Sequence, residues 1–369
     1  MTKYIAFIAD KGKNYCQPLC CTEKEKTDND VQKTGTLNTR LKNMKNIAIV
    51  CGGYSGEYDI SIQSGKVVEK HLDRNKYKGY RIVISKTNWY FESRDGEKYE
   101  IDKADFSLNI DSVIIKFDGV FNAIHGTPGE DGKLQAYFDL LNIPYTSSGV
   151  TSAALSFNKF FCNHFVRSMG VTVADSLSLR KGDAYEKKTI IDALGLPVFV
   201  KPVGSGSSVG ISKVNKTEEL DEAIKTAFKE DDRILIESFI DGREIACGLI
   251  EKGKDLIVFP LTEIISKNDF FDYEAKYTKG LAHEVTPANT PVEVELDIKA
   301  TSSFLYRQMD CKGFVRFDYI LTKTGIYFLE VNAIPGMTEA SIIPQQAEAF
   351  GMSIQELFTI AVEGMLKKG

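Results

Sequence analysis

The apolar run Ile47-Ala-Ile-Val-Cys51 stops at Gly52-Gly53, and apolar residues then recur at helical spacing across 60–72. A continuous run of this kind suits a strand buried on both faces, and a glycine turn leading into a helix opens a βα unit. Further apolar runs at 81–85 and 119–124 each end on a polar loop, and 134–141 has helical spacing. Strands alternating with helices through short loops predict a parallel α/β domain, whose ligands gather beyond the carboxyl ends of its strands. The glycine-bearing loops 52–61 and 125–132 occupy such ends.

At roughly 100–200 residues per domain, a chain of 369 residues predicts two or three domains. Residues 1–43 are polar and show no strand or helix period, so they are expected to form a disordered extension outside the fold, with Met44 as the candidate native start. Cys16, Cys20 and Cys21 lie there without a fourth ligand for tetrahedral zinc. The remainder divides into an N-terminal α/β substrate domain (44–147), a central unit (148–236) and a strand-rich C-terminal unit (237–369). In the central unit a helix is expected near 156–169, strands at 197–203 and 211–214, and a helix at 218–228. A final helix is expected at 354–365.

Lys and Arg (46) against Asp and Glu (51) leave a net charge of −5. That offers no basic field for a nucleic acid, and no apolar run approaches the ~18–20 residues of a membrane span. Cys51, Cys162, Cys247 and Cys311 are isolated thiols in apolar contexts, which suits a reducing compartment and predicts a cytoplasmic protein.

The loop Gly204-Ser-Gly-Ser-Ser-Val-Gly210 follows the 197–203 strand. It has Val209 where a dinucleotide fingerprint needs its third glycine, and it leads into a strand, so neither that motif nor a Walker loop fits. A strand, glycine loop, strand flap remains, whose N–H groups and Ser205, Ser207 and Ser208 hydroxyls suit phosphate oxygens. A flexible hairpin shares the pattern. Lys201 sits just before the loop among apolar neighbours, where a buried amine calls for an anionic partner.

Two later strands supply acids. Alternation places Arg316, Asp318 and Ile320 on one face of Arg316-Phe-Asp-Tyr-Ile-Leu321, and Phe328, Glu330 and Asn332 on one face of Ile326-Tyr-Phe-Leu-Glu-Val-Asn332. A three-residue loop, Lys323-Thr-Gly325, would pair Thr322 with Ile326, and hence Asp318 with Glu330 and Arg316 with Asn332. Carboxylates placed opposite one another repel, so a cation between them is the economical explanation, and oxygen donors suit Mg²⁺. A solvated sheet face is the alternative. Glu57, at the start of the first helix, suits either a ligand or simply the helix dipole. His125 reads as a ligand or a loop cap, and the polar aromatic stretch 269–278 as a functional loop or a surface excursion.

Together these strings resemble the D-alanine:D-alanine ligases of the ATP-grasp superfamily over residues 44–369. The resemblance rests on Gly52-Gly-Tyr-Ser-Gly-Glu-Tyr-Asp-Ile-Ser61, His125-Gly-Thr-Pro-Gly-Glu-Asp-Gly132 with Gln135, Ala154-Leu-Ser-Phe-Asn-Lys159, Val200-Lys-Pro202 with the glycine loop, Tyr273-Glu-Ala-Lys-Tyr277, Arg316-Phe-Asp318, and Glu330-Val-Asn-Ala-Ile-Pro-Gly-Met-Thr338, in the family's order.

It implies a three-domain ATP-grasp fold with a Rossmann-like N-terminal domain, and ligation of two D-alanines through a D-alanyl phosphate for peptidoglycan precursors. Lys159, Lys201, Ser205, Gly206, Ser208 and Lys276 would then hold ATP phosphates, with Glu237 at the adenine hinge and Glu244 at the ribose. Asp318, Glu330 and Asn332 would carry two Mg²⁺ ions, Mn²⁺ being the substitute. Glu57 would bind the first D-alanine's ammonium beside His125, and Glu57, Ser207 and Tyr277 would form a set closing the site. Arg316 and the Gly336 N–H would stabilise the oxyanion, and Ser341 would receive the second D-alanine. A homodimer is implied. The alternatives are D-alanyl-D-lactate or D-alanyl-D-serine ligation, with Tyr277 favouring D-alanine over D-lactate, and a nucleotide-binding protein without catalysis.

Overall fold

The computed structural model describes residues 44–204, 206, 209–266 and 282–367. The readings on residues 1–43, on Ser205, Ser207 and Ser208, and on the 269–278 loop with Lys276 and Tyr277 lie outside the described residues.

The chain opens with β1 (Lys45–Gly52), α1 (Tyr58–His71) and β2 (Tyr77–Ile84), then runs through β3 (Trp89–Glu92), β4 (Lys98–Asp102), β5 (Ser107–Ile110) and β6 (Val113–Ile115) before β7 (Gly119–Asn122) and α2 (Lys133–Leu140). These strands form a sheet of order β6-β5-β4-β3-β2-β1-β7. Its parallel part is β2-β1-β7. The antiparallel meander that widens it is absent from the sequence reading, because strands of three to five residues with polar neighbours carry little period.

β1 shows why its run is apolar throughout. Ile47 and Ile49 join one core with Val68 of α1 and Phe121 of β7, while Ala48 and Val50 enter a second core with Leu134 and Phe138 of α2. A central parallel strand buries both faces, so every position is selected for apolarity.

The next elements are α3 (Val150–Phe157), α4 (Lys159–Ser168), β8 (Ser176–Arg180), α5 (Lys187–Leu194), β9 (Val198–Pro202), β10 (Ser212–Val214), α6 (Leu220–Ala227) and β11 (Arg233–Ser238). The helix expected near 156–169 is α4, which starts three residues later, and a separate helix, α3, precedes it. Asn158 is extended (φ −87°, ψ 99°), ends α3, and caps α4 by accepting from the Phe161 N–H at 3.1 Å. The four strands form an antiparallel sheet of order β10-β9-β11-β8. β9 and β10 pair directly, Val200 opposite Ser212, so the glycine loop does join two strands.

The last part comprises β12 (Arg243–Lys252), β13 (Asp255–Val258), β14 (Thr262–Ser266), β15 (Ala282–Val285), α7 (Val292–Gln308), β16 (Phe314–Leu321), β17 (Ile326–Asn332), α8 (Ile342–Ala349) and α9 (Ile354–Leu366). Its sheet runs β15-β14-β12-β16-β17, with β13 paired to β12. Phe358 and Val362 of α9 share a core with Phe121 of β7 and Phe314 of β16, which ties the last helix to the first sheet.

The β16–β17 hairpin departs instructively from expectation. Arg316 faces Asn332 and Asp318 faces Glu330, as anticipated, but Leu321 rather than Thr322 faces Ile326. The connection is therefore one residue longer. Thr322 shapes it: its Oγ1 accepts from the N–H groups of Thr324 and Gly325, both at 3.1 Å. A bulge at Leu329, between the Asp318 and Tyr319 pairs, restores the register. It also turns Phe328 to the opposite face from Glu330 and Asn332, into the core with Tyr319 and Val331.

Candidate active site

A cavity of about 440 Å³ lies between the antiparallel four-stranded sheet and the C-terminal sheet. Lys159, Lys201, Gly206, Glu237, Glu244, Glu330 and Asn332 line it, so seven of the residues singled out in the sequence share one chamber. Glu57, His125, Arg316, Asp318, Gly336 and Ser341 are not among its lining.

The cations come from a helix start and a strand. Lys159 is the first residue of α4, where uncompensated N–H groups favour an anion, and its own N–H donates to Val203 O at 3.1 Å beside the glycine loop. On the neighbouring strands Phe199 faces Glu237, so Lys201, two residues on from Phe199, projects from the same side. Its Nζ lies 2.5 Å from Glu237 Oε2, with both side chains largely buried (12% and 7% exposed). The other Glu237 oxygen accepts from Asn163 Nδ2 at 2.7 Å. The buried amine thus has its anion, and the pair forms one wall of the cavity.

At the hairpin the guanidinium of Arg316 clasps Asp318 through two bonds, Nε to Oδ1 at 2.8 Å and Nη2 to Oδ2 at 2.7 Å. Asn332 donates to Asp318 Oδ2 at 2.9 Å and to Glu330 Oε1 at 3.5 Å. Burial alone would lower the Arg316 pKa, but the negative charges of Asp318, Glu330 and Glu244 raise it above its ordinary value. Two carboxylates, an amide and a permanent cation therefore meet on one sheet face.

The remaining predicted residues form a second cluster, tied to the first through the turn after β17. His125 is buried, and its Nδ1 donates to Ile334 O at 2.9 Å, which leaves Nε2 to accept from the Ser64 hydroxyl at 2.9 Å. Ser64 Oγ in turn accepts from the Met337 N–H at 3.4 Å. Burial outweighs the opposing pull of Glu57 and lowers the His125 pKa, which keeps the ring neutral. Ser341 stands just before α8 and exchanges a 2.7 Å hydroxyl bond with Thr338. Its Oγ would lie 2.6 Å from a Cβ built on Gly336, so the two touch. Glu57 stands at the start of α1, and its Oε2 sits where a Cβ on Gly206 would strike it, which brings Gly206 of the glycine loop against this acid.

Three residues here escaped the sequence reading. Ser64 belongs to a buried α1 face built of Ser61, Ser64, Gly65 and Val68, whose small polar members obscure the apolar period. Asn163 lies one turn beyond Lys159, a spacing that could have flagged it. Glu130 is the carboxylate inside the 125–132 loop. It accepts from the Gly126 N–H at 2.8 Å and the Ile334 N–H at 3.1 Å, and burial, followed by the charge of Glu57, pushes its pKa up to about 8.

The D-ala D-ala ligase N-terminus family model matches residues 46–148, and the D-ala D-ala ligase C-terminus model matches residues 165–363. The chain belongs to the D-alanine–D-alanine ligase family. A D-alanine–D-alanine ligase of Flavobacterium johnsoniae is 48% identical over 320 residues, covering 87% of this chain and 99% of the relative. One from Bacteroides fragilis is 41% identical, covering 86% and 98%. Among solved structures, D-alanyl-alanine synthetase A of Vibrio cholerae has a TM-score of 0.80 at 29% identity, covering 88% of this chain and 99% of that one. VanG D-Ala:D-Ser ligase of Enterococcus faecalis has a TM-score of 0.77 at 32% identity, covering 87% and 99%. The fold is thus the ATP-grasp fold of an ATP-dependent ligase family. No described helix is long and apolar enough to cross a membrane.

Proposed function

We propose that this chain joins two molecules of D-alanine into D-alanyl-D-alanine, with ATP converted to ADP and phosphate. The carrying observation is the convergence of Lys159 and Lys201 with Glu330 and Asn332 on one cavity, next to an acid, Glu57, that meets the glycine loop. Lysines beside acids suit a nucleotide phosphate chain, and an acid beneath a loop suits a substrate ammonium.

A carboxylate is a poor acyl donor. A carboxylate oxygen of the first D-alanine attacks the γ-phosphorus, the bond from that phosphorus to the bridging oxygen breaks, ADP leaves, and D-alanyl phosphate results. Lys159 and Lys201 offset the charge that gathers during transfer. Lys201 must then turn from Glu237 towards the phosphates, and Asn163 keeps one Glu237 oxygen bonded while it does so. The deprotonated amine of the second D-alanine attacks the acyl carbon, and collapse of the tetrahedral oxyanion expels phosphate. Arg316 and the Gly336 N–H supply fixed donors for that oxyanion. Ser341, in contact with Gly336, holds the acceptor's carboxylate beside them. In our reading the glycine loop with Ser205, Ser207 and Ser208, and the 269–278 loop with Lys276 and Tyr277, cover the intermediate, since water would otherwise hydrolyse it.

The donor set of Asp318, Glu330 and Asn332 fits Mg²⁺: hard oxygen ligands on one sheet face, of which Glu330 and Asn332 line the cavity while Asp318 lies beside them against Arg316. Bound there, the cation would neutralise phosphate charge and polarise the phosphorus–oxygen bond. Glu237 and Glu244 serve the adenine and ribose in the same reading, and His125 orients the site by holding Ile334. We also assign the chain to the cytoplasm as a homodimer. The first 43 residues fall outside both family matches, which supports treating them as an extension.

A second reading, D-serine as acceptor, draws on the VanG match. Product analysis with ATP, D-alanine and an equal concentration of D-serine or D-lactate distinguishes them. Predominant D-alanyl-D-alanine supports the first reading, and a predominant mixed product replaces it.

A further inference from the structure

The turn after β17 carries Gly336 but has no regular structure of its own, so something else must place the Gly336 N–H. Both polar backbone groups of the buried Ile334, two residues earlier, are held from the 125–132 loop across some two hundred positions of sequence. Its carbonyl accepts from His125 Nδ1 at 2.9 Å, and its N–H donates to Glu130 Oε1 at 3.1 Å. The second Glu130 oxygen accepts from the Gly126 N–H at 2.8 Å. Gly126 in turn packs against Ser55 and Glu57, a Cβ there lying 3.4 Å from Glu57 Oε2. One carboxylate therefore spans the loop that backs Glu57 and the turn that leads to Gly336.

From this geometry we propose that Glu130 is a positioning residue, whose carboxylate sets the distance between the ammonium-binding loop at Glu57 and the oxyanion-binding turn at Gly336. An oxyanion donor displaced by a fraction of an ångström loses much of its effect, so a two-oxygen strut is the kind of support such a turn needs. A carboxyl group is suited to the task because both backbone groups it meets are donors, and those two bonds favour its ionised form against the burial that raises its pKa. The amide of glutamine offers one acceptor and presents an N–H to the other donor, so one of the two bonds is lost. The proposal rests on the ligase reading above and extends it to a residue at the cavity wall whose two carboxyl oxygens are both engaged by backbone N–H groups.

The test compares the full-length chain with Glu130→Gln, following D-alanyl-D-alanine formation and phosphate release at varied ATP and D-alanine. We expect dipeptide turnover to fall at least 10-fold, with the KM for ATP within twofold of wild type. Phosphate released per dipeptide formed should rise at least twofold, as acyl phosphate is lost to water. A general scaffold residue would not move that ratio. Turnover within twofold of wild type, an ATP KM that rises in step with the loss, or an unchanged phosphate-to-dipeptide ratio would each overturn the proposal. If Glu130→Gln does not fold, Glu130→Asp, one methylene too short to reach both N–H groups, is read by the same three criteria. Failure of the ligase reading would look different, because wild type itself would then release no phosphate in response to D-alanine.

Discussion

Asp318 and Glu330 face one another across adjacent antiparallel strands, and a single bulged residue, Leu329, keeps them opposed. Without it, the longer connection at Thr322 would shift β17 by one place and carry Glu330 and Asn332 to the core side. The acidic pair is thus specified twice, by strand alternation near the site and by a bulge that corrects the turn. Replacing Glu330 with Gln keeps the shape and removes the charge. We expect turnover to fall at least 100-fold while the melting temperature stays within a few degrees, measured by dipeptide formation and thermal unfolding. Near-normal turnover would remove Glu330 from the metal-binding role.

Lys201→Ala leaves Glu237 buried with Asn163 as its side-chain partner among the described residues. Removing one member of a buried pair typically costs about 3 kcal/mol or more. We expect the protein to fold with a lower denaturation midpoint, and ATP affinity to drop at least 10-fold. Unchanged nucleotide affinity would show that the lysine serves only the ion pair.

The contact between Gly336 and Ser341 leaves no room for a methyl group. Gly336→Ala should therefore displace the hydroxyl assigned to the acceptor, raising the KM for the second D-alanine at least 10-fold with little change in ATP affinity. Initial-rate kinetics over a wide D-alanine range separates the two.

His125 gives a signed pH effect. Its folded pKa lies below the ordinary 6.5, mainly through burial, so the unfolded chain binds the extra proton first as pH falls. Its contribution to stability is whole above 6.5 and is lost as pH drops from there towards the folded value. Urea midpoints at pH 7.5 and 5.5 should fall less in His125→Gln than in wild type; an equal fall would contradict the assignment.

Much of the site was legible because its chemistry sits on strands with regular alternation. Lys201, Arg316, Asp318 and Glu330 stand out as charges at positions where neighbours are apolar; pairing brings the last three together, while Lys201 meets the same cavity from another sheet. The parts that were not legible depend on irregular backbone. The helix break at Asn158 follows from one residue leaving the helical region, and the bulge at Leu329 from a turn one residue longer than its glycine suggests. Ser64 and Glu130 act through backbone groups of residues about two hundred or more positions away, a relation no local pattern records.

The central claim is the coupled use of ATP and D-alanine. The most direct measurement is phosphate release by the purified chain with ATP and Mg²⁺ as D-alanine is varied, with the dipeptide quantified in the same samples. The account predicts saturable release that requires D-alanine and one D-alanyl-D-alanine per phosphate. Phosphate release independent of D-alanine, or none at all despite ATP binding, would contradict it.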